Sequence, residues 1–318
     1  MTANAEFLKN MSVKIHFLNT GSGDCTIVHF PERRWTNGRI SNERIMMVDL
    51  NHSEDHNEYE HIIDYYKHNF RDANGYVKPI FRFICSHPHH DHFCGLNKLL
   101  ESGINIENFW DLIHDFEPES FDGHSWHKDD WEAYNKIRNG NVSNVTIIRA
   151  QRENESQLYW NDKEDRIKIL SPSASMIYKA HYKEDGTRKD SKDVDIDSIS
   201  YALAIQINSK KIILAGDGKD NAWQDIYDNC KNSIKNCNIL KAGHHGQECA
   251  FHEDATKLMN PDYIIFSNSG EEDKNYGAEN LYKKVIPRSE IYKTHKDGTI
   301  IATVPYDDNA AITFDFAD

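Results

Sequence analysis

The sequence predicts an α/β fold on three observations. Short apolar runs with strand patterning recur along the whole chain. Stretches with helical spacing stand between many of them, the alternation expected of a mixed α/β architecture. Histidines and aspartates collect just after the strand-like runs, where a rigid scaffold holds functional side chains. With no internal repeat and no linker-like stretch, one domain over residues 1–318 is expected, carrying insertions and an N-terminal extension at 1–10.

Residues 13–18 alternate like a strand with one covered face. Asn19-Thr20-Gly21-Ser22-Gly23-Asp24 then supplies two glycines for a tight turn and close backbone approach, and 25–30 reads as a second strand. A polar loop over 33–44 leads to the apolar run 45–48, which ends in Asp49 with Asn51 and His52 behind it. An aspartate at such a strand end suits a brace for metal ligands. Tyr59, Ile62, Ile63 and Tyr66 give 58–70 the spacing of a helix. The run 80–85 reads as a buried central strand, and a helix is expected from Phe93 through Leu100.

Residues 106–113, 145–148 and 167–170 read as further strands, the first followed by a loop holding His114, His124, Trp126, His127 and Trp131. The stretch 173–197 is charged and without period, as a surface insertion or mobile loop would be; the alternative is that Lys179, Lys183, Arg188, Lys189 and Lys192 contribute basic groups to a substrate cleft. Strands at 200–206 and 211–215 turn at Asn208-Ser209, and the second ends in Gly216-Asp217-Gly218. A helix at 222–229 and a strand at 238–242 come next, ending in Gly243-His244-His245-Gly246. A strand at 262–266, a helix at 278–285, and strands at 291–294, 298–304 and 311–316 complete the chain.

The segment Ser86-His87-Pro88-His89-His90-Asp91-His92-Phe93-Cys94-Gly95 carries the strongest chemical signal. Four histidines and one aspartate stand within six positions of a chain in which 18 of 318 residues are histidine. Neutral imidazole nitrogen and carboxylate oxygen are ligands that zinc, manganese and iron accept. Asp217 and the 244–245 pair place more such ligands at two further strand ends. Together the three ends could hold two divalent cations bridged by one carboxylate and a hydroxide, an arrangement suited to phosphate-ester hydrolysis.

Composition sets outer bounds. The formal charge of −14 argues against a general nucleic-acid coat, which needs lysine and arginine on phosphate, and leaves room for a local basic cleft. No apolar run approaches the roughly 20 residues that span a bilayer. The N-terminal ten residues lack a basic-then-apolar leader pattern, so a cytoplasmic protein without membrane partners is expected. The six cysteines form no Cys-x-x-Cys pair and read mostly as buried thiols.

The segment 86–95 resembles the signature of the metallo-β-lactamase fold superfamily. Its companions resemble the ComEC-type branch, the metallohydrolase domain of the DNA-uptake competence protein. Those companions are the 18–24 turn, Leu214-Ala215-Gly216-Asp217, and Leu240-Lys241-Ala242-Gly243-His244-His245-Gly246. Ser267 to Gly270 with Asn275-Tyr276-Gly277, and Tyr292-Lys293-Thr294 with Asp297-Gly298, add to the match, which spans roughly residues 12–305.

The resemblance implies an αββα sandwich, two mixed sheets face to face with helices outside and metals at one edge. By position, His87 and His89 would face a first ion, Asp91 and His92 a second, and Asp217 would bridge. A histidine of the 244–245 pair would complete the second site and the other would meet substrate; His244 is assigned as ligand, and His245 to substrate and catalysis with Asp91 and Asp49. Lys241 and His295 join His245 as substrate-binding candidates. One departure stands out: the third first-site histidine of many superfamily members is missing, and the region reads Asp195-Ile196-Asp197-Ser198-Ile199-Ser200. Asp197 or a loop histidine (His114, His124, His127) could help there, and weaker binding would favour manganese or partial zinc occupancy.

The leading functional expectation is therefore a metallohydrolase using two zinc or manganese ions, acting as a phosphodiesterase or nuclease on a nucleic-acid or nucleotide substrate. A rival is hydrolysis of a small molecule: a cyclic or modified nucleotide, a lactone or a thioester. The same centre serves all of these, since fold does not fix substrate. A further alternative is a binding module whose metal is structural; ligands for two ions argue against that reading, because structural zinc sites are closed and four-coordinate.

Overall fold

The computed structural model describes residues 11–34, 40–52, 61–121, 125–154, 165–270 and 276–317. The N-terminal extension 1–10, residues 58–60 of the expected first helix, His124, Asn275 and the His127 side chain lie outside the described set.

Two mixed sheets carry the architecture. The first has eight strands in the spatial order Thr146–Ile148, Asn108–Trp110, Arg82–Ile84, Arg44–Val48, Thr26–Phe30, Ser12–Phe17, Thr299–Pro305 and Thr313–Ala317. Its first four strands are mutually parallel and the rest antiparallel. The second has six, in the order Asp165–Ser171, Ala202–Ile207, Lys210–Leu214, Ile239–Lys241, Tyr263–Phe266 and Glu290–Lys293, the last four parallel.

The period-2 alternation of side chains along a strand explains how the layers stack. Met46, Val48, Val28, Leu203, Ile205, Ile212 and Leu214 point into one core between the sheets. Their neighbours Ile45, Met47 and Ile27 point outward, against helices Ile62–Asn69, Leu96–Glu101 and Ser125–Arg138. On the other side Ala202, Ala204 and Ile213 face helices Asp220–Asn229, Glu253–Met259 and Ala278–Val285. The chain thus forms the αββα sandwich that the resemblance implies. Among the described residues no helix is long and apolar enough to cross a membrane.

Four expectations need correcting. The stretch after residue 114 holds the helix Ser125–Arg138, which buries Trp131, Ala133, Tyr134 and Ile137 on one face. The charged stretch 173–197 opens with the helix Ala174–His181, capped by Ser173 Oγ, which accepts from Met176 N at 3.2 Å. It ends in a one-turn 3-10 helix, Asp197–Ile199, whose residues are buried. In the polar loop 33–44, Arg33–Arg34 and Ile40–Ser41 pair as short strands. The helix expected from Phe93 begins at Leu96, because Phe93–Cys94 pairs with Leu50–Asn51 and Gly95 turns the chain at φ 84°.

The parallel strands set the site. Arg44–Val48 and Arg82–Ile84 end side by side in Asp49 and the histidine loop. Across the core, Lys210–Leu214 and Ile239–Lys241 end in Asp217 and in His244 and His245. Functional groups gather at the carboxyl ends of parallel strands, as in other open α/β sheets.

Candidate metal centre

The histidine loop is held from behind. Ser86 N donates to Asp49 Oδ1 at 2.6 Å, and His92 Nδ1 lies 2.9 Å from Asp49 Oδ2. Ser86 Oγ is 3.2 Å from Nδ1 of both His87 and His92, and Ser200 Oγ stands 3.4 Å from His87 Nδ1. With each Nδ1 engaged, both Nε2 atoms face the opposite way, toward Asp217 Oδ2. Asp49 therefore ties Ser86 and His92 together from a left-handed backbone (φ 62°).

The inward atoms form two groups. His87 Nε2, His89 Nδ1 and Asp197 Oδ1 are mutually 3.1, 3.4 and 2.9 Å apart. His92, His245, Asp217 and Asp24 make the second. Asp217 Oδ2 lies between them, 3.2 Å from His92 Nε2, 3.5 Å from His245 Nε2 and 3.9 Å from His87 Nε2. Asp91 Oδ2 stands 3.2 Å from His245 Nε2 and 3.7 Å from His92 Nε2. Two ligand atoms on one tetrahedral ion, each at about 2.0–2.2 Å, sit about 3.4 Å apart, close to these spacings.

Unmet polar atoms test the fit. Asp24 Oδ1, Asp197 Oδ1, Asp217 Oδ1 and His245 Nε2 are buried and make no hydrogen bond among the described residues. Asp197 Oδ1 is 2.9 Å from His89 Nδ1, as close as two ligand atoms of one site would stand. Buried orphans of this kind cost free energy unless a cation meets them. The residues present fit divalent metal ions.

The electrostatics agree. Burial opposes charge on His92 and His245, yet Asp217, with Asp91 beside it, drives both well above the ordinary imidazole value. Burial would raise Asp217 and Asp91, but His92 and His245 hold both well below the carboxylate range. Burial and the neighbouring His92 push His87 well down. A cluster that draws protons onto buried imidazoles in this way is a well for cations.

The local backbone explains how the 244–245 pair splits. His244 (φ 48°), His245 (φ 56°) and Gly246 (φ 92°) are consecutive left-handed residues, which swing the two imidazoles apart. His245 is buried in the second group, its Nδ1 3.2 Å from Ser267 O. His244 is more open; its Nε2 is 3.7 Å from Asp217 Oδ2 and its Nδ1 3.4 Å from Cys249 Sγ. His245 thus sits within the buried His92–Asp217 cluster, and His244 is the more exposed of the pair.

Other expectations fare unevenly. Lys241 is no rim residue: it is buried at 3 % exposure and its Nζ pairs with Asp24 Oδ2. His295 Nδ1 bonds Asn268 Oδ1 at 2.6 Å, and Asn268 Nδ2 donates to His245 O at 2.9 Å, so His295 connects to the centre through Asn268. His114 belongs elsewhere, 2.8 Å from Tyr134 Oη and 3.7 Å from Asp111. Asp197 stands beside His87 and His89, its second oxygen 2.9 Å from Lys219 Nζ. Asp24 and Lys219 do not stand out in the sequence as site residues; the only signal for Asp24 is an aspartate behind a glycine turn, at a strand start.

No protein-family model matches the chain, and no curated protein matches it. Among solved structures, a metallo hydrolase from the hyperthermophilic archaeon Ignicoccus hospitalis aligns with a TM-score of 0.45 at 14 % identity, covering 92 % of this chain and 98 % of that one. Unliganded yeast PDE1 aligns at 0.43 and 11 % identity, over 89 % of this chain and 97 % of its own. A long form RNase Z from yeast aligns at 0.39 and 15 % identity, over 91 % of this chain and 44 % of its own.

Proposed function

We propose that this chain is a metal-dependent hydrolase of the metallo-β-lactamase superfamily, ComEC-type branch, that cleaves phosphodiesters in nucleic acid or nucleotides. The observation that carries the reading is Asp217 Oδ2, set between a His87–His89–Asp197 group and a His92–His245 group. In this reading His87, His89 and Asp197 would hold a first ion and Asp91, His92 and His245 a second, with Asp217 within reach of both groups. Two divalent ions so held supply Lewis-acid stabilisation of phosphoryl oxygens and lower the pKa of water.

The chain's own residues keep that centre in register. Asp49 fixes the His92 tautomer by accepting from Nδ1, leaving Nε2 as the ligand atom. The Ser267 carbonyl does the same for His245 Nδ1. Burial keeps His244 below the ordinary imidazole value and Cys249 in its thiol form. His244 Nδ1 lies 3.4 Å from Cys249 Sγ and its Nε2 3.7 Å from Asp217 Oδ2, which puts a partly exposed imidazole next to the centre, where it can meet a phosphoryl oxygen. His244 therefore takes the substrate role first assigned to its neighbour.

The test is hydrolysis of bis(p-nitrophenyl) phosphate, single-stranded DNA and RNA with Mn²⁺ or Zn²⁺, alongside metal analysis. Near two equivalents of metal and a loss of at least about 100-fold in Asp217→Ala are expected. A His89→Ala, Asp91→Ala double variant as active as the wild type would sink the site. The net charge of −14 favours a second reading, a small-molecule hydrolase. Activity on mononucleotides or cyclic nucleotides with none on polymers would select it.

A further inference from the structure

An aromatic groove of about 440 Å³ is lined by residues including Ile113, Asp115, Tyr178, His181, Tyr182 and Arg188. Most of it comes from the charged stretch whose sequence reads as an insertion, and the stretch is ordered. Lys183 N bonds Thr187 O at 2.8 Å, Gly186 N bonds Lys183 O at 3.0 Å and Tyr182 bridges Arg188, which makes a tight hairpin. That hairpin folds against the helix Ala174–His181 through Lys189 N to His181 O at 2.8 Å. Asp115 ties the groove together, 3.1 Å from His181 Nε2 and paired with Arg188.

Tyr178 and Tyr182 stack with ring centroids 4.6 Å apart at 13°, and Tyr178 is 56 % exposed. Ile113, 40 % exposed, adds apolar surface to the same groove. The stacked pair, braced by its helix and hairpin and half exposed, offers a flat aromatic surface to a planar ligand.

Two short paths link the groove to the metal ligands. Phe116, next to Asp115, packs its ring 5.8 Å from that of His89. Asp195 N reaches Ala180 O at 3.4 Å, two residues before the ligand Asp197. Charge does not explain the groove: across 173–197, Lys179, Lys183, Arg188, Lys189 and Lys192 are outnumbered by Glu184, Asp185, Asp190, Asp193, Asp195 and Asp197, a net of −1. Arg188 and Lys192 are also already paired, with Asp115 and Glu119. Stacking, not phosphate attraction, is the interaction this surface is built to offer.

We propose that this groove is a nucleobase subsite, in which a base flanking the scissile phosphate stacks on Tyr178 with the Arg188 guanidinium at its edge. The assignment rests on the phosphodiesterase reading, because a nucleobase is the flat group that a nucleic-acid phosphodiester brings to such a position. Base–aromatic stacking is worth about 1–3 kcal/mol per base by alanine substitution, which corresponds to about 5- to 150-fold in affinity.

The experiment is fluorescence anisotropy of a labelled single-stranded thymidine oligonucleotide, and of the same backbone with abasic residues, bound to the full chain in chelator so that no cleavage intervenes. The wild type should bind the base-bearing strand more tightly than the abasic one. Tyr178→Ala should lose about tenfold on the first and nothing on the second. Tyr178→Phe should bind like the wild type, since the ring and not the hydroxyl does the stacking. Equal affinity of wild type and Tyr178→Ala for the base-bearing strand, or no measurable binding by the wild type, overturns the subsite. Failure of the metal-loaded wild type to hydrolyse any phosphodiester instead overturns the parent reading, whatever the binding shows.

Discussion

Asp197 is a carboxylate where an imidazole would be the more familiar ligand, and its surroundings keep it charged. Burial would raise it, but His89, His87 and Lys219 hold it well below the carboxylate range, so it stays ionised and able to bind metal. Asp197→Ala should cost one metal equivalent, or about 10- to 100-fold in the affinity of the weaker ion, by titration calorimetry. Asp197→His should keep both equivalents and shift preference from manganese toward zinc, since imidazole is the softer ligand. Unchanged stoichiometry and affinity in the alanine variant would remove Asp197 from the site. The Lys241–Asp24 pair makes a second residue-scale prediction. Both groups are nearly fully buried, so Lys241→Met should destabilise the chelated protein by about 3–5 kcal/mol in urea unfolding, by stranding Asp24. Adding Asp24→Asn should recover much of that loss; a double variant as weak as the single one would mean the pair is not coupled. The histidine loop is readable from sequence because its ligands are contiguous. Asp24 and Asp197 are harder because nothing local distinguishes a site aspartate from a solvated one, and the order of His244 and His245 depends on left-handed backbone at both histidines, which only the following Gly246 hints at.

Elements are legible in proportion to how unbroken their apolar runs are. Arg44–Val48 and Lys210–Leu214 can be read because apolar side chains on both faces fill two cores. The helix Ser125–Arg138 escapes a sequence reading, because its buried Trp131, Tyr134 and Ile137 lie among lysines and aspartates that hide the stripe. Ala174–His181 is hidden the same way by the charged run behind it. Strand Ser12–Phe17 carries an element-scale prediction through His16, which faces helix Ile62–Asn69 with Nδ1 2.6 Å from Tyr65 Oη. Burial, helped by His29 and Lys14, pulls the His16 pKa down to about 4. The unfolded chain, at about 6.5, then binds the proton more readily, so the contribution is complete above pH about 6.5 and is lost as pH falls toward 4. Between pH 7 and pH 5 this amounts to about 2 kcal/mol, from 1.36 kcal/mol per unit. His16→Gln should flatten that part of the stability–pH curve in urea unfolding; an unchanged slope would show that His16 is not its source.

At the scale of the whole molecule, the two sheets converge on one edge and concentrate there acids that the rest of the fold cannot satisfy. Asp24, Asp91, Asp197 and Asp217 stand around four histidines in a chain whose formal charge is already −14. Protonated His92 and His245 offset those carboxylates when metal is withdrawn, and both are raised well above the ordinary imidazole value. Groups raised on folding contribute stability that is complete below about pH 6.5 and disappears as pH climbs through their folded values. The chelated protein should therefore lose stability from neutral toward alkaline pH, where its carboxylates are left facing neutral rings. Metal binding runs the other way, since ligation needs those same rings deprotonated and so tightens as pH rises. The gap in melting temperature between Mn²⁺-loaded and chelator-treated protein should thus widen from pH 6 to pH 9. Free ion at 100 times Kd adds about 2.7 kcal/mol, a shift of several degrees for a chain of this size. Asp217→Ala should close most of the gap at every pH, because it takes away the oxygen that both groups share. A gap that stays constant with pH, or that survives in Asp217→Ala, would mean that the stabilising ion sits somewhere other than this edge.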